Sequence, residues 1–232
     1  TEAWAKKDRA RALEKAIWDR EQEIDSTAAG GERVLAEILQ QRYDEIVISD
    51  PDWRPHTDWS YEAGLDYGKR HPTAFLLFGK DHDGTIYAIS EHYRSGLTPQ
   101  QHAAEIRSMR IPCGDRPSVM RRVESTWSDP SLFPDRNPSE NSEKFTSISN
   151  LFEQEASLKM TRGKRGLDQF FVTSLMEMWG GKDVKFKIWC PKPVLKKTEG
   201  TSEHGCPNLL WELKNIRRKD ISTVVSLNKD QP

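Results

Sequence analysis

The sequence has few cysteines, no long apolar run and almost no net charge. Its three cysteines are an odd and sparse number that provides no disulfide framework, which favours a reducing, intracellular setting. No apolar stretch approaches the ~18–20 residues needed to cross a bilayer, and no signal peptide is recognisable, so we expect no membrane partner. Because 35 basic residues nearly balance 36 acidic ones, a uniformly basic coat and an acidic solvating tail are both excluded.

The chain does contain enough large aromatic residues for a folded core. It has 8 Trp and 8 Phe in 232 residues, whereas disordered chains are poor in such residues. This length predicts one domain, or one domain with an appendage. Helical spacing up to Tyr43, interrupted at Gly30-Gly31, predicts a helical linker or N-terminal extension over 1–57 and a globular domain over 58–232. Because the chain begins at Thr1 rather than Met, we expect it to be a fragment of a longer protein.

Hydropathy patterns after Pro55 predict an α/β domain. Three strands follow one another, then a helix, a fourth strand, two helices, a fifth strand and a last helix. The first of these helices has a clear start, with Thr98 as N-cap, Pro99 at the first helical position and Gln101 completing a capping box. This order favours a mixed sheet with helices on its faces. The predicted strands are 61–66, 73–78, 85–93, a segment within 119–127, and 184–188; the helices lie near 98–109, 145–152, 167–178 and 209–216.

Two aspartates follow strands that the topology can bring together. Asp66 ends the first strand, and the nearby Gly68 would let its carboxylate approach a metal; the alternative is a turn aspartate that caps the loop. Asp129 ends the fourth strand before Pro130. A right-handed crossover can place the fourth strand parallel beside the first. Two neighbouring carboxylates repel each other unless they are protonated or bridged by a cation. Oxygen ligands suit Mg²⁺ or Mn²⁺, and two such ions about 4 Å apart support phosphodiester cleavage.

Glu91 is a third acidic candidate, in the third strand. Period-two alternation predicts that it shares the face of Tyr87 and Ile89, where a carboxylate among apolar neighbours needs a partner. A cation site is one possible partner, and a salt bridge with Arg or Lys is the other.

An ordered series of motifs resembles the C-terminal nuclease domain of phage large terminase subunits. The series consists of GLDYG around Asp66, ISEHY around Glu91, STWSDPS around Asp129, and NLLWELKN at 208–215. The resemblance covers about 58–232 and implies a ribonuclease H-like α/β fold, a mixed five-stranded sheet flanked by helices. It further implies endonucleolytic cutting of concatemeric double-stranded DNA during head packaging. Two Mg²⁺ or Mn²⁺ ions would be held by Asp66, Asp129 and Glu91 as catalytic residues.

The same resemblance implies partners and a location. The partners would be double-stranded DNA, a packaging ATPase domain of the same full-length protein, a small terminase subunit and a portal, in the host cell cytoplasm. The chain departs from the family in lacking a G-x-x-x-x-G-K-[ST] phosphate loop, so it resembles an isolated nuclease domain. It also lacks the family's last acidic ligand, which lies in a His-x-x-Asp-Ala-like context, because Asp230 matches no such motif. We therefore expect an incomplete metal site. Glu212 is most simply a solvated or salt-bridged helix residue.

Two basic stretches are candidates for contacts with DNA phosphates, since phosphate binding is largely electrostatic. The predicted DNA-binding residues are Lys159, Arg162, Lys164 and Arg165 in the first stretch and Lys192, Lys196 and Lys197 in the second; the alternative for each stretch is a solvated face. No base-reading motif is present, so we expect little sequence specificity. Zinc binding by Cys190, His204 and Cys206 is disfavoured by a nonstandard spacing and a missing fourth ligand. Two alternatives to the terminase nuclease remain: a non-catalytic DNA-holding or motor/portal-docking module, and a Holliday-junction resolvase-like nuclease of the same fold.

Overall fold

The fold is that of a mixed sheet covered by helices on both faces. A computed structural model describes residues 33, 35–69, 71–109, 112–113, 116–117, 123–134, 147–164, 168–192 and 194–216. The predictions for 1–32, Phe145, Arg165 and Asp230 lie outside these residues. The helices are α1 (Ala36–Gln41), α2 (Tyr43–Ile46), α3 (Pro99–Ser108), α4 (Ile148–Ala156), α5 (Asp168–Gly180) and α6 (Pro207–Asn215), with a 3₁₀ turn at Pro130–Leu132.

The described residues form ten strands. They are β1 (Val47–Ile48), β2 (Ser60–Asp66), β3 (Thr73–Lys80), β4 (Ile86–Arg94), β5 (Pro112–Cys113), β6 (Arg116–Pro117), β7 (Val123–Ser128), β8 (Met160–Arg162), β9 (Phe186–Trp189) and β10 (Gly200–Ser202). The predicted helix start is confirmed: the Thr98 side chain accepts a hydrogen bond from the Gln101 N–H, and the Gln101 side chain accepts one from the Thr98 N–H. Within the described ranges, no helix is long and apolar enough to span a membrane.

Eight of the described strands form one sheet in the order β1-β9-β4-β3-β2-β7-β8, with β10 paired to β4. β2, β3 and β4 are antiparallel, whereas β7 lies parallel to β2 and β9 parallel to β4. The mixed sheet and the parallel position of β7 beside β2 are as predicted. The sheet has eight described strands rather than five because β1, β8 and β10 are two or three residues long, too short for period-two alternation to be visible in the sequence.

Each face of the sheet packs against its own apolar cluster. On one face, Leu65, Phe75 and Leu77 pack with residues of α3 and α4 such as Ile106 and Phe152. On the other face, Ile188 and the partly buried Leu76 and Phe78 pack with α5 and α6 through residues that include Leu175 and Leu210. The two clusters fix the sheet between two helical layers, so the ends of its strands lie at defined positions.

A β-bulge in β4 reverses the predicted facing of Glu91. Leu77 pairs with Ser90 and Phe78 pairs with Ala88, which leaves Ile89 as an extra residue. A bulge of this kind shifts the alternation of the residues that follow it. Glu91 therefore lies opposite Leu76, on the face covered by α6, and the prediction that it shares the face of Tyr87 and Ile89 is wrong.

Candidate active site

Two carboxylates lie at the carboxyl ends of the adjacent parallel strands β2 and β7. Leu65 pairs with Ser128 across these strands, and the Ser128 hydroxyl donates a 2.6 Å hydrogen bond to the Leu65 carbonyl oxygen. Asp66 follows Leu65, and Asp129 follows Ser128. Both aspartates line one open cavity of about 470 Å³. Because neighbouring strands are separated by only ~4.8 Å, the register of β2 and β7 brings the two aspartates together.

The electrostatics of the cavity reflect this crowding of negative charge. Partial burial raises the pKa of the Asp66 carboxyl above its usual value of 3.8, and the charges of Asp129 and Glu212 raise it further. A nearby cation would stabilise the ionised form of a carboxyl in these surroundings. Asp129 also has a structural role, since its Oδ1 accepts a 2.7 Å hydrogen bond from the Ser131 N–H at the start of the 3₁₀ turn.

The end of β8 brings a basic residue to the same cavity. The Gly163 N–H donates a 2.7 Å hydrogen bond to the Ser128 carbonyl oxygen, and a Cβ at residue 163 would lie 2.9 Å from that oxygen. Glycine at this position therefore permits a close approach of two backbones. The following residue, Lys164, is exposed and lines the cavity with the two aspartates.

Gly68 has a steric role that the sequence did not indicate. A Cβ at this position would lie 2.1 Å from the His71 carbonyl oxygen and 2.7 Å from that of Pro72. The tight connection between β2 and β3 thus requires glycine here for steric reasons, independently of any access to Asp66.

Glu91 is buried and holds the N-terminus of α6. Its Oε1 accepts hydrogen bonds from the Asn208 N–H (2.7 Å) and the Asn208 Nδ2 (2.8 Å), and its Oε2 accepts one from the Leu209 N–H (3.0 Å). Burial raises the pKa of Glu91 from 4.5 to about 7, although these hydrogen bonds act in the opposite direction. Its partner is thus a helix N-terminus, which was neither of the two partners considered from the sequence. A role of Glu91 as metal ligand stays a prediction.

Glu212, on α6, forms an ion pair with Lys197. The Lys197 ammonium group also lies 5.3 Å from the ring centroid of Tyr93 and 5.1 Å from that of Trp211. Lys197 therefore already has an anionic and two aromatic neighbours. This position was predicted to contact DNA phosphate, and that contact stays a prediction.

The remaining predicted DNA-binding residues differ in their surroundings. Lys159, Lys192 and Lys196 are at least partly exposed. Arg162 donates to the Pro134 carbonyl oxygen at 3.0 Å and lies over the Phe133 ring. The first basic stretch ends beside the cavity at Lys164, whereas Lys192 lines a separate cavity together with Cys190 and His204.

The described residues contain no group of three or more His, Cys, Asp or Glu side chains placed to hold a metal ion. Cys190, His204 and Cys206, for which the sequence disfavours zinc, therefore form no such group. Cys190 instead donates a hydrogen bond to the Lys192 carbonyl oxygen at 3.2 Å, and burial raises its pKa to about 11. Any divalent ion at Asp66 and Asp129 would need further oxygen donors, such as water or a phosphate.

Trp127 lines the same cavity and was not recognised from the sequence. Its side chain is 46 % exposed, and its indole N–H donates a 3.2 Å hydrogen bond to Glu62 Oε2. Its position directly before Ser128-Asp129, on the strand that delivers the aspartate, is the only signal that could have identified it.

No protein-family model and no curated protein matches the chain, whereas solved structures do. The large terminase of a thermophilic bacteriophage, in complex with ADP, matches 82 % of this chain and 39 % of its own, with a TM-score of 0.53 and 16 % identity. The P22 large terminase nuclease domain matches 66 % of this chain and 71 % of its own (TM-score 0.42, 14 % identity). The HK97 bacteriophage large terminase matches 68 % of this chain and 34 % of its own (TM-score 0.40, 12 % identity). The chain thus shares its fold with part of the thermophilic phage's large terminase, as the sequence predicted, and the match spans about two fifths of that protein.

Proposed function

We propose that this chain is the metal-dependent endonuclease domain of a viral DNA-packaging terminase large subunit. The proposal depends mainly on one observation: Asp66 ends β2, Asp129 directly follows the adjacent parallel strand β7, and both line one cavity within this fold. Two acids in such positions are suited to metal-assisted hydrolysis of a phosphodiester.

The donor chemistry fits a hard divalent cation. Both side chains offer only oxygen, which favours Mg²⁺ or Mn²⁺ over softer metals. The raised pKa of Asp66, caused in part by Asp129 and Glu212, reflects a local excess of negative charge that a divalent ion would neutralise. When bound, two such ions would supply an activated water and stabilise the leaving oxygen.

The protein residues around this pair would bind and orient the DNA. Lys164 lies at the cavity with an exposed side chain, where it would attract the scissile phosphate towards the aspartates. Glu91 would act indirectly, by fixing α6 and with it the charge of Glu212.

The experiment is plasmid nicking in Mn²⁺ or Mg²⁺ by the unmodified chain, Asp129→Asn and Asp52→Asn. Asp52 is exposed in the connection after β1, so its replacement makes the same chemical change away from the cavity. We expect metal-dependent nicking by the unmodified chain and by Asp52→Asn, and background nicking by Asp129→Asn. Equal cutting by Asp129→Asn would show that the assignment is wrong.

A second measurement tests metal binding without catalysis. Mn²⁺ should raise the unfolding temperature of the unmodified chain and of Asp52→Asn, because a ligand that binds only the folded state stabilises it. It should raise that of Asp129→Asn much less. An equal increase in all three proteins would place the ion elsewhere.

A non-catalytic DNA-holding module is the alternative that specific observations favour. Both oxygens of Glu91 accept hydrogen bonds from α6, and no group of three metal-binding side chains occurs in the described part of the chain. This alternative predicts retention of DNA in a gel shift without any metal-dependent nicking.

The proposed function also defines partners and a location. The chain would act on concatemeric double-stranded DNA beside a packaging ATPase domain of the same full-length protein. A small terminase subunit and a portal would complete the assembly in the host cell cytoplasm. Co-purification with such an ATPase domain, and its effect on nicking, would test this arrangement.

A further inference from the structure

Trp127 is more exposed than the other described tryptophans. Trp179 and Trp189 are fully buried, and Trp53, Trp59 and Trp211 are partly buried. Trp127 is 46 % exposed and belongs to neither apolar cluster of the described residues. Tryptophan is enriched at contact surfaces because its ring is apolar and its indole N–H is polar.

The surroundings of Trp127 leave its ring accessible but fixed. Its strand neighbours are Gly64 on β2 and Thr161 on β8. Gly64 has no side chain, and a Cβ there would have no neighbour closer than Phe78, at 3.9 Å. The hydrogen bond from the indole N–H to Glu62 restricts rotation of the ring. The result is an exposed aromatic surface with an open flank.

The cavity combines this ring with groups that suit nucleic acid. Asp66, Asp129 and Lys164 line it together with Trp127 and the small or apolar residues Gly64, Ala74 and Leu76. Its volume of about 470 Å³ lies within the ~300–1,000 Å³ typical of small-molecule sites. A cavity with an exposed ring, a lysine and an acid pair can accept a base and its phosphate together.

We propose that Trp127 stacks against an unpaired base of the DNA strand whose phosphate lies at the cavity lined by Asp66, Asp129 and Lys164. The proposal depends on the proposed nuclease function and adds a substrate class to it: DNA with an unpaired or extruded base beside the cut. In an intact duplex the bases stack on each other and present the backbone to the protein, so the indole reaches only a base that has left the stack. Stacking of this kind tolerates any base sequence.

The test compares three DNAs that share one sequence: a single strand, a blunt duplex, and a duplex with a central unpaired bulge. Binding is measured by fluorescence anisotropy in Ca²⁺, an oxygen-binding cation that can occupy the acid pair, and a gel of the same samples confirms that no strand is cut. The variants are Trp127→Phe, which retains an aromatic face, Trp127→Leu, which retains apolar bulk without it, and Trp127→Ala. Base–aromatic stacking is worth ~1–3 kcal/mol, or roughly 5- to 150-fold in affinity.

We expect Trp127→Leu and Trp127→Ala to weaken binding of the single strand and the bulged duplex about tenfold, and Trp127→Phe to weaken it much less. None of the three variants should change binding of the blunt duplex. Equal binding by the Phe and Leu variants, an equal loss on all three DNAs, or no binding of any DNA would overturn the proposal. If the Ala variant does not fold, the comparison of Phe with Leu decides.

Nicking assays in Mn²⁺ separate this proposal from the proposed function. If the unmodified chain cuts no DNA, the nuclease assignment fails, while the binding comparison in Ca²⁺ still decides whether Trp127 stacks on a base. If the chain cuts the blunt and bulged duplexes equally and Trp127→Leu does the same, the nuclease assignment stands and the stacking proposal fails.

Discussion

The buried carboxyl of Glu91 should make the stability of the fold depend on pH in an unusual direction. Most carboxyls in folded proteins have lowered pKa values and stabilise the native state as pH rises. Glu91 has a pKa raised from 4.5 to about 7, so its folded form binds a proton more tightly than its unfolded form. Its contribution to stability is complete below pH 4.5 and is lost as pH rises through about 7.

The magnitude follows from the difference between the two pKa values. From 4.5 to about 7, at ~1.4 kcal/mol for each pH unit, the linkage amounts to about 3 kcal/mol. Glu91 is 2 % exposed, so screening by solvent reduces this value little. Between about pH 5.5 and 8, the change should be about 2 kcal/mol.

The assay is denaturation by urea at a series of pH values, for the unmodified chain and Glu91→Gln. Glutamine has a similar shape but cannot titrate, so the difference between the two unfolding free energies isolates Glu91 from the other carboxyls. We expect the advantage of the unmodified chain over the variant to shrink by about 2 kcal/mol from about pH 5.5 to 8. A constant advantage would refute the reasoning. An advantage that grows with pH would show that the hydrogen bonds from α6 outweigh burial.

Three further outcomes are expected. Asn208→Ala removes one of the donors to Glu91 and should lower the unfolding free energy by ~1–3 kcal/mol; a urea midpoint equal to that of the unmodified chain would contradict this role. Lys164→Gln should reduce the slope of log K for DNA binding against log salt by ~1. Lys197→Gln should leave the slope unchanged, because the Lys197 ammonium group is already ion-paired. Equal slopes for the two variants would argue against this distinction between the two lysines. Gly163→Ala places a Cβ 2.9 Å from a backbone oxygen and should cost ~1–3 kcal/mol, so an unaltered unfolding temperature would contradict the close approach.

The fold class was predictable because its signals are local or follow from general rules. The capping box at Thr98 needs only residues three apart, and the parallel position of β7 follows from the handedness of crossovers. The same rule predicts that the strands leading to Asp66 and Asp129 are neighbours, as β2 and β7 are.

The details of the site were not predictable for a different reason. The bulge at Ile89 breaks the alternation on which the facing of Glu91 was argued, and nothing in the local sequence marks it. The partners of Glu91 and Lys197 come from other elements of the fold, so they arise from tertiary packing. Gly68 and Gly163 are glycines because other backbones approach them closely, which a single sequence cannot show.

The pairing of β2 with β7 has a consequence for a newly made chain. Asp66 is synthesised well before Asp129, and the two come together only where β7 lies beside β2, in the register that Leu65 and Ser128 show. Truncated or partly folded copies therefore lack any chemistry that requires both carboxylates.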